Sequence, residues 1–529
     1  MLSRIRGRHA ALAFALLIVG YTTVVNAWCG DDPYITFRAI DNAVHGWGLV
    51  WNPYERVQVF TDPLWALLLT GVYALTGEAY FTTMFASVAL SVAVVGVIAF
   101  ATRERPWWTA AFAGGLLVAS KAYVDYSTSG LENPLTHLLV ALFYTRLLFE
   151  SASRPWTERR VVGLVAVASL VYLNRADAVL AVVPGLAWAL WRARGLGARA
   201  LTRAVVLGGL PVAAWTTFSL VYYGFPFPNT AYAKLNGGRM LSWFHQNGVA
   251  YFANSLTVDR FTLPLIGATI VAGTWLATRR RDDRLALLPL AGAAAYLVYT
   301  MRIGGDYMSG RLFALPLLLS VLALAYLVRT WQAAAGVGLA GLVATLFGAR
   351  PPIVSPGMYE TIPVERTGIR DERGDYYVRS GLMFVMGPSR ANPGRARYPL
   401  DQAIRADVPQ ATIWGAIGYY GFSHGPQWFN VDNLGLSDPL LARLPGRYID
   451  HAWGRGHLFR DLPAGYLESV EMNENRIVDP SLHEFFDHLR LVTTGPIWRW
   501  DRFKAIWAFN TGKYRPLLEQ YAGRTPTAE

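Results

Sequence analysis

Cysteine is almost missing: Cys29 is the only one in 529 residues. An intramolecular disulfide and a cysteine-built metal site are therefore excluded. Charge is also scarce, at 16% of residues against 53% hydrophobic. A soluble chain of this size carries more. Acidic residues are the scarcer kind, 36 Asp and Glu against 48 Lys and Arg, and the net charge is +12. What the chain has instead is a series of apolar runs bounded by arginine clusters, so the sequence predicts an α-helical polytopic membrane protein. Much of the positive surplus lies in short loops between those runs. There it sets topology and does not point to nucleic acid.

The first nine residues are short and basic, and an apolar run from Ala10 to Trp28 follows. No small-residue cleavage site follows that run, so we expect an uncleaved first helix with a cytoplasmic N-terminus in the inner (plasma) membrane. Arg103-Glu104-Arg105, Arg154 to Arg160, Arg192 to Arg203 and Arg279-Arg280-Arg281 mark cytoplasmic loops. Spans are expected at 10–28, 81–102, 107–122, 132–150, 160–173, 178–192, 203–223, 261–278, 285–301, 311–328 and 332–349. That makes about eleven helices. The shorter stretch Asp62 to Leu75 is expected to lie in the outer interface. Residues 1–349 then form the membrane domain and 350–529 an extracytoplasmic soluble domain of α/β class. It is expected to hold a strand and turn over Ala411 to Tyr420 and strands at Trp428 to Val431, Leu489 to Val492 and Trp498 to Trp507.

The adjacent aspartates Asp31 and Asp32 are the most informative pair. They follow the first apolar run directly, and charge at a membrane boundary is costly and usually marks a site. The bland alternative is a solvated loop. Polar chemistry gathers in the same set of expected outer loops. One holds Asp31, Asp32, Arg38, Asp41 and His45; the next runs from Asp125 to Asn133. The others hold Asn174-Arg175-Ala176-Asp177, Tyr222 to Lys234, and Arg302 to Arg311. Read singly, each has a structural explanation: a glycine turn, a helix stop at Pro226 or Pro228, a local Arg175–Asp177 ion pair. Their collection on one face argues for a site there, since loops on a rigid scaffold carry binding groups.

An outward-facing membrane enzyme has no access to nucleotide sugars, and a polyprenyl-phosphate sugar is the usual alternative. Such a reaction needs a carboxylate to take the acceptor proton, which Asp31 or Asp32 supplies. It needs cations where charge develops on the leaving phosphate, for which Arg175, Lys234 and Arg311 are candidates. It also needs groups that orient the sugar or acceptor. Tyr34, Asn229, Tyr232, Asp306 and Tyr307 are candidates, together with Arg38, His45 and Glu132 from the same loops. Partners would be that donor, a cell-envelope glycan and membrane lipid. No cofactor and no protein metal site is predicted, and a divalent cation is left open. His451 and His457 lie near Asp450, but their spacing matches no zinc pattern.

The ordered set of motifs resembles the GT-C superfamily of polyprenyl-phosphate-sugar glycosyltransferases, and within it the terminal arabinofuranosyltransferase (AftB-like) family. The residues are Asp31-Asp32-Pro33-Tyr34-Ile35-Thr36-Phe37-Arg38, then Gly46, Gly48, Asn52 and Glu55-Arg56-Val57, then Ser129-Gly130-Leu131-Glu132. They continue with Pro228-Asn229-Thr230, Tyr232-Ala233-Lys234, Gly304-Gly305-Asp306-Tyr307-Met308 with Arg311, and Asp432 followed by Gly435-Leu436-Ser437-Asp438. The resemblance implies a GT-C fold, catalysis by an aspartate of the first outer loop, and transfer of D-arabinofuranose from decaprenyl-phosphoryl-arabinofuranose to a cell-envelope glycan. Arg175-Ala176 stands where the family has Arg-Pro. Alternatives are a GT-C transferase using another lipid-linked sugar such as mannose, a non-catalytic relative, or a lipid or glycan transporter. Transporters often show internal repeats, which this chain lacks. In the C-terminal part, Trp453, Trp498 and Trp500 are read as sugar-stacking aromatics or as core.

Overall fold

The computed structural model describes residues 2–150, 154–235, 241–348, 350–354, 367–386, 410–413, 417–447 and 457–524. Asp450, His451, Trp453 and the stretch 414–416 of an expected strand lie outside the described residues. The described chain is mostly helical. Five helices are long and apolar enough to cross a membrane: Gly7–Val25, Ala79–Ala101, Ala176–Leu196, Ala198–Tyr222 and Arg281–Arg302. A sixth crossing results if Gln246–Val258 and Thr262–Arg279, bent by 107° at their junction, count as one. The sequence reading expected about eleven. Much of the difference lies in length: of the helices at expected spans, Thr109–Ala119, Arg311–Leu327 and Trp331–Leu346 are apolar but have 17 residues or fewer, and Glu158–Asn174 has 17, short of the ~20 that a bilayer core needs.

Two compact units make up the chain, and neither is continuous in sequence. One takes residues 1–30, 80–212 and 240–391; the other takes 31–79, 213–239 and 392–529. In the first, helix Ala314–Leu327 is buried on almost every side. A helix that is apolar all round needs such a central place. It packs against Thr109–Ala119, Thr262–Arg279 and Leu287–Arg302. Close approach between helices uses small residues. A methyl group on Gly292 would strike the Ala181 carbonyl, to which the Tyr144 hydroxyl donates at 2.6 Å. The sharp bend after Val258 has a chemical cause. The Asp259 carboxylate accepts the N–H groups of Phe261 at 3.1 Å and Thr262 at 3.0 Å, which start the next helix, and that of Ala122 at 3.0 Å.

In the second unit, helix Asp32–Val44 packs against Pro63–Thr76 and Ile417–His424. Its strands, Gln410–Ile413 and Trp428–Val431, pair in parallel with Gln410 opposite Trp428. Among the described residues this is the only sheet, so an α/β C-terminal domain is not seen. The segments expected as strands at Leu489 to Val492 and Trp498 to Trp507 belong instead to helices Pro480–Thr493 and Trp500–Asn510. The wider pattern explains this. Leu482, Phe485, Phe486, Leu489 and Val492 are buried at spacings of three and four, one face of a helix, and Asp479 caps its start through Ser481 and Leu482 N–H. These side chains share a core with Phe225, Phe429, Leu440, Tyr466 and Ile506. Leu489 is fully buried there. Leu489→Ala should therefore destabilise this unit by about 2–5 kcal/mol, seen as a lower thermal-unfolding midpoint in detergent. An unchanged midpoint would mean that this core is not formed.

Candidate active site

Asp31 stands just before helix Asp32–Val44, with Pro33 in the first turn, where a missing N–H costs nothing. Its carboxylate does not cap its own helix. Oδ1 accepts the Tyr419 N–H at 2.8 Å and Oδ2 accepts the Gly418 N–H at 3.1 Å. These two amides open helix Ile417–His424. Burial pushes the Asp31 carboxyl up to about 6; the Tyr419 N–H opposes this and the neighbouring Asp32 charge adds to it. Gly418 must be glycine, because a β-carbon would collide with the Asp31 main-chain carbonyl. Asp32, like Asp31, is half-buried.

Tyr34 has no exposed surface. Its ring packs on Phe37, Tyr419 and Phe422, with centroids 4.9, 4.3 and 5.4 Å away. Arg38 is also buried. Its guanidinium lies 4.6 Å from the Trp51 ring and donates to the carbonyls of Trp51 at 2.8 Å, Gly421 at 2.6 Å and Trp428 at 2.7 Å. The His45 Nδ1 lies 2.8 Å from the Asp41 carbonyl and 3.2 Å from its carboxylate, and Tyr73 donates to that carboxylate as well. The Asn229 amide donates to the carbonyls of Gly435 at 2.9 Å, Leu436 at 3.2 Å and Asp438 at 3.0 Å. Tyr232 and Phe225 flank the Arg443 guanidinium at 4.7 and 4.2 Å. Lys234 is exposed near the end of helix Asn229–Leu235. A pocket in this unit is lined by Arg56, Gln58, Phe225, Phe227, Asn229 and Tyr232 among others.

The remaining predicted residues fall in the other unit, where they meet in one ionic cluster. Glu132 accepts from Arg175 at 2.7 Å and from Arg311 at 3.2 Å. Arg175 also pairs with Asp177 at 2.9 Å, and the Tyr296 hydroxyl donates to that carboxylate at 2.7 Å. Arg311 pairs with Asp306 at 3.5 Å. Tyr307 packs beside Trp28, Tyr126 and Met308. The Glu132 side chain is 4% exposed and the two arginines 13% and 14%. Such a group survives burial because each charge meets an opposite one. It holds three carboxylates around two guanidiniums, so the arginines carry no surplus positive charge.

The predicted residues are thus gathered into two groups, one in each unit: Asp31, Asp32, Tyr34, Arg38, His45, Asn229, Tyr232 and Lys234, and Glu132, Arg175, Asp306, Tyr307 and Arg311. Sequence reasoning missed the Gly418 and Tyr419 amides, Tyr296 and Arg443. Main-chain donors carry no residue signature, and Tyr296 sits inside an apolar run. Among the described residues, no three His, Cys, Asp or Glu side chains come together in a metal-binding arrangement.

A largely helical chain with several candidate membrane spans and buried clusters of carboxylates and arginines is what the fold defines. The chain is distantly similar to two proteins named terminal beta-(1->2)-arabinofuranosyltransferase. One, from Corynebacterium glutamicum, is 28% identical over 350 residues, covering 58% of this chain and 49% of the relative. The other, from Mycobacterium tuberculosis, is 25% identical over 335 residues, covering 57% and 52%. The chain thus spans about half the length of the curated relatives it matches. No family profile and no solved structure matches it.

The ionic cluster makes its own prediction. Glu132→Ala leaves two buried guanidiniums short of a carboxylate and should cost about 3 kcal/mol of stability. Thermal unfolding in detergent would show this as a clear drop in midpoint, and the Thr278→Ala control, an exposed hydroxyl, as none.

Proposed function

We propose that this chain is a membrane glycosyltransferase of GT-C fold that moves D-arabinofuranose from decaprenyl-phosphoryl-arabinofuranose to a cell-envelope glycan. The observation that carries the reading is the Asp31-Asp32 pair. It offers a half-buried carboxyl with a pKa near 6, in a membrane chain whose distant relatives are named arabinofuranosyltransferases. A base poised near the working pH is largely ionised yet still accepts a proton well.

In this reading Asp31 or Asp32 takes the proton from the acceptor hydroxyl as that oxygen attacks the anomeric carbon. The bond from that carbon to the phosphate oxygen breaks, and the polyprenyl phosphate leaves with the electron pair. The growing phosphate charge needs cations, for which the sequence offers Arg175, Lys234 and Arg311 as candidates. Tyr232 and Asn229 remain the candidates for orienting the sugar. Tyr34 and Arg38 act at a distance, by holding the helix that carries the aspartates. The N-terminus would lie in the cytoplasm. The aspartates and residues 350–529 would face outward, with shorter apolar helices completing about eleven crossings.

Two measurements test this in proteoliposomes. With labelled decaprenyl-phosphoryl-arabinose and an arabinan acceptor, Asp32→Asn should lower transfer by at least about 100-fold, the usual worth of a general base, with the chain still folded. Wild-type turnover in both Asp32→Asn and Asp31→Asn would end the catalytic assignment, and transfer only from a mannosyl donor would move the substrate. The pH profile is the second. The base works ionised, so the rate should fall as pH drops through about 6, the Asp31 value, and level off above it. A profile flat from pH 5 to 8 would refute Asp31 as the titrating group.

A further inference from the structure

Three indoles stand out from the surface of the second unit. Trp498 is 80% exposed, Trp500 73% and Trp507 74%. Trp500, exposed Lys504 and Trp507 recur at spacings of four and three along helix Trp500–Asn510, so they share one face. The opposite face is buried through Arg502, Ala505, Ile506 and Ala508.

The buried face fixes where this helix sits. Arg502 donates to the carbonyl of Val221 at 2.7 Å and to that of Tyr222 at 2.9 Å. Asn510 donates to the carbonyl of Gly224 at 2.9 Å. Both ends of the helix are therefore tied to the last residues of the candidate span Ala198–Tyr222 and the turn after it. If that apolar segment crosses the hydrocarbon core, its end lies at the headgroup level, and a helix within hydrogen-bonding reach lies there too. Tryptophan is enriched at that depth, and lysine there extends its ammonium toward the headgroups.

Charge agrees with this placement. From Trp498 to Arg524 the exposed cations are Arg499, Lys504, Lys513, Arg515 and Arg524, against exposed Asp501 and Glu519. We propose that the face formed by Trp498, Trp500, Lys504 and Trp507 is a lipid-interface anchor, seated among anionic headgroups at the end of the span Ala198–Tyr222. The anchor needs no particular sugar donor or leaflet, so it stands or falls separately from the proposed reaction.

The test uses the full chain in nanodiscs of mixed phosphatidylcholine and phosphatidylglycerol. Cys29 is buried, so the native background serves for spin labelling at Trp507→Cys, Lys504→Cys and the control Met472→Cys, which is 61% exposed in the same unit. At position 507, collisions with a water-soluble nickel chelate should fall several-fold below the control, and collisions with oxygen should rise. Position 504, nearer the headgroups, should lie between. Nickel accessibility at 507 equal to that at 472 would overturn the anchor. So would protection at 507 that appears only on adding arabinan oligosaccharide, which would make the face a sugar platform. Circular dichroism checks that each variant keeps its helix content.

Discussion

The second unit depends on buried donors that reach main-chain carbonyls far away in sequence. Arg38 is the central case, with one guanidinium serving Trp51, Gly421 and Trp428. Asn52 donates to the Asn430 carbonyl at 3.3 Å and accepts the Asn430 N–H at 3.1 Å. Asn229 serves the loop from Gly435 to Asp438, and Arg460 donates to the carbonyls of Leu458 at 2.7 Å and Ala233 at 2.6 Å. The need is physical: much of this unit is loop, and buried loop carbonyls without partners are expensive. Long polar side chains provide what a sheet would otherwise provide. A guanidinium used this way is fixed in place and lends the loops it serves their stability.

That constraint bears on how the motifs are read. Arg38, Asn229 and Tyr34 drew notice because polar and aromatic groups in outer loops often touch ligands. In the folded chain, Arg38 and Asn229 also hold backbone, and Tyr34 packs in a ring cluster. The loop from Asp432 to Asp438 behaves alike. Asp432 accepts the N–H groups of Leu434 and Ser437, both at 2.9 Å, and Asp438 accepts from Leu440, Leu441 and the Tyr466 hydroxyl. Gly435 takes a φ of 70° within it, open to glycine and costly for other residues. Motif order can therefore persist in a chain because it specifies a scaffold, with the reacting groups a small subset.

The membrane character and the long apolar helices were legible in the sequence, because hydropathy over about twenty residues is a strong signal. The ionic pair Arg175–Asp177 was legible too, as a local pair. The crossings were less so, since composition does not reveal where Asp259 ends one helix and begins another. The C-terminal helices were misread over short windows: Leu489 to Val492 looks β-like alone, and only the buried positions back to Leu482 reveal the helical period. The partners of Asp31 were hidden altogether, since they are amides nearly 390 residues away.

The cluster of Glu132, Arg175, Asp177, Asp306 and Arg311 looks at first unsuited to an anion, because its carboxylates outnumber its guanidiniums. For the proposed reaction this balance has a use. A polyprenyl-phosphate sugar is a phosphodiester with one negative charge, and its phosphate gains a second as the sugar leaves. Arginines already satisfied by carboxylates hold the singly charged donor weakly. They gain most by turning toward phosphate when its charge has grown. Binding that strengthens along the reaction raises turnover, whereas binding that is tight from the outset does not. Asp306, 3.5 Å from Arg311, is among the carboxylates that such an exchange would displace.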